Sequence, residues 1–139
     1  LDFTGVQTLH RMPNTTDPRK FYRITRVLLV PSLCEDAHPR VAVESLMNGI
    51  PVLPSRRGGL PEILASAGFL FDIPDRYPPR SLQTPTADEV RPWIEMIESL
   101  WDNELLYHHE QERCRKTADA WESQRVFQQF QAFFSALMQ

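Results

Sequence analysis

The clearest pattern along the chain is a pair of short apolar runs set in otherwise mixed sequence. Val27 to Val30 are consecutive aliphatic residues closed by Pro31 and Ser32. Val52 and Leu53, entered from Ile50 and Pro51, form a second run closed by Pro54 and Ser55. Continuous aliphatic runs of this length suit strands of a parallel sheet that is covered on both faces. Between them, Pro39 to Asn48 has the marks of a helix: a proline in its first turn, Gly49 for the left-handed position past its end, and Pro51 to prevent continuation. The unit reads as β-α-β. A right-handed crossover makes the strands parallel and sets their carboxyl ends side by side, the edge where open α/β sheets bind ligands. In this chain those ends are SLCEDAHPR and SRRGG.

The flanking sequence predicts further elements. Leu1 to Phe3 reads as a short strand. Thr15-Thr16-Asp17-Pro18 starts a helix over 19–25 whose basic residues, Arg19, Lys20, Arg23 and Arg26, read as a solvated face rather than an anion patch. Leu60 to Leu64 predicts a short helix and Gly68 to Phe71 another strand. Residues 73–86 hold four of the twelve prolines, which makes them a loop, either a lid or a surface connection. Thr86 caps a helix over 88–101, with Asp88 and Glu89 near its N-terminal dipole and Ile94, Ile97 and Trp101 as a buried stripe. Residues 104–121 continue as helix, with the run HHEQERCRK as a solvated face. A zinc-binding helix would need a second histidine four positions on, and His109 has Arg113 there. A last helix over 126–138 carries Val126, Phe130, Phe133 and Leu137 on one stripe, widened by Phe127, Phe134 and Met138. That face is read mostly as core, with enough width to meet another domain. The expected fold is α/β, a Rossmann-like parallel sheet flanked by helices, in one domain over 1–139 whose C-terminal helices occupy 87–139.

Composition narrows this only modestly. The 139 residues, 42% hydrophobic, suffice for one core. No apolar run approaches the ~18 residues of a membrane span, and the first residues lack a signal-peptide core. Because the chain starts at leucine, it is expected to be a piece of something longer. A net charge of -3 argues against nucleic acid as the main partner. Cys34 and Cys114 show no metal spacing and read as free thiols in a reducing compartment, with one disulfide as the alternative. The expected location is cytoplasmic, or peripheral at a membrane face.

The chemistry-bearing residues converge on the predicted ligand edge. Asp36 and Glu44 have seven residues between them and flank the N-terminus of the central helix. That terminus offers backbone amides and a positive dipole end to a phosphate, and a carboxylate on each side can accept hydrogen bonds from hydroxyls. A nucleotide sugar presents ribose hydroxyls, a diphosphate and sugar hydroxyls in that order. Arg40, Arg56 and Arg57 are candidate diphosphate ligands, and Gly58 and Gly59 allow close backbone approach. Singly, each has an ordinary reading: Asp36 as a helix cap, Glu44 as an exposed helix residue, the arginines as surface charges.

The stretch PSLCEDAHPRVAVESLMNGIPVLPSRRGGLPEIL resembles the signature of the group 1 retaining glycosyltransferases of GT-B fold. That signature has a strand ending in Pro-Ser, two acidic residues separated by seven, an Asn-Gly-Ile-Pro-Val strand and a Gly-Gly-x-x-Glu loop. The resemblance implies a catalytic position facing the donor sugar for Asp36, where the family usually has glutamate, and ribose binding for Glu44. It implies backbone contacts to the distal phosphate around His38, Arg40 and Val41, and a donor-pocket loop at Gly58 and Gly59. Pro39 stands where a glycine is common and brings no amide proton; Glu35 is a possible substitute for the shorter Asp36. The implied activity is sugar transfer from a nucleotide-diphosphate sugar to a sugar, lipid or protein acceptor, with no metal or other cofactor. Such enzymes have two Rossmann-like domains. This chain resembles the second from partway in, so an N-terminal domain and the opening strands are expected elsewhere and the chain alone is expected to be inactive. The alternatives are a non-catalytic binding or scaffold module, or an epimerase or phosphorylase of the same architecture.

Overall fold

A computed structural model describes residues 8–138; the strand expected at Leu1 to Phe3 lies outside the described residues. The β-α-β unit forms as predicted. Strand β1 (Leu28–Val30) pairs in parallel with β2 (Val52–Pro54), and Leu28, Leu29 and Val30 stand opposite Val52, Leu53 and Pro54. Helix α2 (Arg40–Met47) makes the crossover. Gly49 takes the left-handed φ of 65° that ends it, and a side chain there would run into the Arg115 guanidinium. Before this unit lies α1 (Arg19–Tyr22); after it comes α3 (Leu60–Leu64). Helix α4 (Ala87–Asp102), α5 (Glu104–Ala118), a 3-10 turn at Asp119–Trp121 and α6 (Ser123–Leu137) complete the chain.

The sheet separates two apolar layers. On one side Leu28, Val30 and Val52 pack with Ala42, Leu46, Ile63, Leu64, Cys114 and Ala118 from α2, α3 and α5. On the other, Leu53 packs with Leu100 and Tyr107, joined by Phe69, Phe71, Trp93 and Ile97. Coverage is uneven. Leu29, at the centre of β1, is 46% exposed, so the expectation of strands covered on both faces holds for β2 and for only one face of β1.

Several local expectations are corrected. The strand predicted over 68–71 is reduced to a single parallel bridge, Ser55 to Phe71. Gly68 sits in a turn at φ 69°, and only the Phe69 and Phe71 amides donate to β2, at 3.0 and 2.9 Å from the Val52 and Pro54 carbonyls. The first helix is shorter than predicted: after Tyr22 the chain tightens, with Ile24 and Thr25 amides donating to the Phe21 and Tyr22 carbonyls. Arg26 is not solvated; its guanidinium lies 3.9 Å from the Tyr107 ring centre and 5.0 Å from that of Trp101. The α4 stripe is not buried as predicted. Trp101 and Ile94 are exposed, and Leu100 is the buried residue of that helix, because the sheet beneath is narrower than the stripe. The charged run of α5 is not wholly solvated, since Glu110 is fully buried and accepts from the Gly68 amide at 2.5 Å and from Arg113 at 2.6 Å. The last helix departs most. No residue of α6 is buried, and Phe127, Phe130, Phe133, Phe134 and Leu137 all lie open.

The proline-rich segment over 73–86 is a tethered connection. Tyr77 is buried and donates its hydroxyl to Glu89 at 2.7 Å, while Arg76 pairs with the same carboxylate at 2.5 Å. Thr86 donates its amide and hydroxyl to Glu89 at 2.8 and 3.0 Å, fastening the start of α4.

Candidate functional site

The carboxyl ends of β1 and β2 open into two loops, residues 31–39 and 55–59, and these loops are clasped together. Ser55 begins the clasp: its amide donates to the Val30 carbonyl at 3.0 Å and its buried hydroxyl to the Ser32 carbonyl at 2.6 Å. Next, the Gly58 amide donates to the Glu35 carboxylate at 2.5 Å and the Gly59 amide to the Asp36 carbonyl at 2.8 Å. A Cβ on Gly58 would stand 2.3 Å from the Asp36 carbonyl oxygen, and one on Gly59 would stand 2.1 Å from that of Ala37. The glycine pair is therefore required by loop-to-loop packing.

This clasp brings together most of the residues predicted for the site. Asp36 is exposed, and its Oδ1 accepts from the His38 amide at 3.0 Å, which shapes the turn into α2. Glu35 accepts from Gly58 and lies 3.9 Å from Arg57, so it braces the loop. His38 is exposed, with its ring 5.1 Å from that of Trp121. Pro39 is the N-cap of α2 and no side chain caps that terminus. Arg40 and Val41 follow as its first two residues, both exposed, so the terminus retains its partial positive charge toward the loops. Glu44 lies one turn on, half-buried, and its Oε2 accepts from the Tyr22 hydroxyl at 2.8 Å. Burial first, and then the Glu44 carboxylate, push the Tyr22 pKa above its ordinary range, so the phenol remains a donor.

The arginines behave differently. Arg56 is drawn to Asp72 at 2.9 Å, on the exposed bridge segment, and Arg57 is largely covered, reaching toward the Ile73 carbonyl. Arg57 reaches the clasp only at Glu35, and Arg56 is turned to Asp72. Beside His38 a cavity of about 600 Å³ opens between α2 and α6, lined by Val43, Trp121, Val126, Phe127 and Phe130. Among the described residues no group of three or more His, Cys, Asp or Glu side chains is placed to hold a metal ion. His108 instead faces Gln111 and Glu104 along its own helix.

Sequence reasoning passed over Tyr22, Asp72 and Glu110. Tyr22 sits at the apolar end of α1, and nothing in linear spacing links it to Glu44. Glu110 was findable: Tyr107, Glu110, Cys114 and Ala118 recur at helical spacing, and that stripe is the buried one.

Fold and edge together define an α/β domain in which two parallel strands end beside the start of a crossover helix. The family model for glycosyl transferases group 1 matches residues 4–77, a little over half of the chain. The chain belongs to that family, whose activity is glycosyl transfer. The matched span takes in the whole clasp and ends at Tyr77, before α4. No curated protein matches the chain. Among the described residues no helix is long and apolar enough to cross a membrane.

Proposed function

We propose that this chain supplies donor-binding residues of a retaining glycosyltransferase that takes its sugar from a nucleotide-diphosphate sugar. The observation that carries the reading is the clasped pair of loops at the N-terminus of α2, with one carboxylate before the helix and one a turn inside it. The Asp36 carboxylate faces the donor sugar. The first-turn backbone of α2, from His38 to Val41, meets the diphosphate, where dipole and amides offset the leaving group's charge. The Glu44 carboxylate accepts from the ribose hydroxyls. Arg40 adds positive charge beside the phosphates, and Arg56 does so by exchanging Asp72 for the donor. Gly58 and Gly59 keep the second loop in register with the first. The chemistry requires no metal ion, and the enzyme acts in the cytoplasm on an acceptor held mainly by an N-terminal domain.

The test is donor binding and turnover by the full-length protein, with Glu44→Ala as the control. Loss of donor affinity by roughly tenfold or more is expected from removing a charged hydrogen-bond acceptor; unchanged affinity would sink the assignment. One observation favours a second reading, a module that binds donor without turning it over: Asp36, already the shorter acid, has an oxygen committed to the His38 amide. Binding without sugar transfer or donor hydrolysis would select it.

A further inference from the structure

We propose that Tyr22 is a positioning residue for Glu44, holding one carboxylate oxygen so that the other is presented to the ribose of the donor. The inference rests on the donor-site reading above and adds a residue that reading does not contain. Tyr22 lies on α1, outside the clasp and the crossover helix, yet its hydroxyl reaches α2 at 2.8 Å from Glu44 Oε2. Tyr22 is 8% exposed and its ring packs edge-on against Phe21 at 5.1 Å, so the hydroxyl is delivered from a fixed support.

The chemistry gives this bond one direction. A carboxylate only accepts, so the phenol donates, and its raised pKa keeps that proton in place across the neutral range. A glutamate on a helix otherwise samples several rotamers. Held through Oε2, Glu44 has its remaining lone pairs directed by the protein, and those lone pairs call for hydroxyl donors. A vicinal diol satisfies them; a phosphate, which carries like charge and brings only acceptors, does not. Tyr22 therefore bears on recognition of the ribose, and its loss should appear as lost discrimination between ribose and deoxyribose rather than as a general loss of binding.

The experiment measures affinities of the full-length protein for UDP, GDP and ADP and for their 2′,3′-dideoxy forms, in the wild type, Tyr22→Phe, Glu44→Ala and the double variant. For the nucleotide that binds, Tyr22→Phe is expected to weaken the ribose form roughly three- to tenfold. The dideoxy form should be unaffected, and the Glu44→Ala background should show no added loss. Equal losses for both forms, additive losses, or no loss at all would overturn the inference. Should Tyr22→Phe fold poorly, Tyr22→His keeps a ring N–H donor but draws it back from Glu44. The same loss of ribose preference is expected there, and full retention overturns the inference. If Glu44→Ala itself leaves the ribose preference intact, or none of the three nucleotides binds, the donor-site reading fails and takes the inference with it. If Glu44→Ala abolishes the preference and Tyr22→Phe does not, the inference alone fails.

Discussion

At the scale of single residues, the site is decided by atoms that are missing. Gly58 and Gly59 have no Cβ, and the Asp36 and Ala37 carbonyls occupy the space one would fill. Gly59→Ala should therefore lower stability by about 1–3 kcal/mol through overpacking against backbone that cannot yield like a side chain. Urea unfolding checks this, and an unchanged midpoint would mean the loops part easily. The spacing of Asp36 and Glu44 was legible because it is set within one short loop and one helix. The diversion of Arg56 was not, since its partner Asp72 comes into range only when the segment after α3 returns beside β2. Tyr22 was equally hidden, because it meets Glu44 only when α1 packs against α2.

At the scale of elements, capping and glycine signals were reliable and burial signals were not. Helix α2 ends at its predicted glycine and α4 starts at its predicted threonine, because those choices are made by nearest neighbours. Which face of α4 or α6 is buried depends on how much sheet lies beneath it, and a helix moment carries no such information. Glu89 shows one element holding another. The Thr86 amide first, and then the Tyr77 hydroxyl, stabilise its ionised form and hold its pKa down to about 2. The native state thus releases this proton more readily than the unfolded chain, whose value is near 4.5. The stabilisation is complete above about pH 4.5 and disappears as pH falls toward 2. Thermal midpoints measured from pH 7 to pH 2 should fall more steeply for the wild type than for Glu89→Gln, and parallel curves would contradict the tether.

At the scale of the whole molecule, the β-α-β centre was readable in its order of elements and its surroundings only in part. Two apolar runs, a helix and a glycine loop define their own contacts, whereas α4 and α6 present more apolar surface than the described residues cover. The two cysteines report on this centre. Cys34 is exposed, while Cys114 is sealed against the Ile50 carbonyl, and burial, then the Glu110 carboxylate, raise its thiol pKa to about 12. A thiol reagent at neutral pH should modify Cys34 at once and reach Cys114 only at the rate of global unfolding. Rapid modification of both would show the α5–α2 layer to be loose.

The clasp between the loops has a consequence for the energetics of capture. Hydrogen bonds at Ser55, Gly58 and Gly59 order both loops as the chain folds, before any visitor arrives. Under the proposed function, a donor phosphate at the start of α2 would meet backbone that is already in place, so the entropy of arranging it would not be subtracted from the affinity. Donor association is then expected to show no slow ordering step.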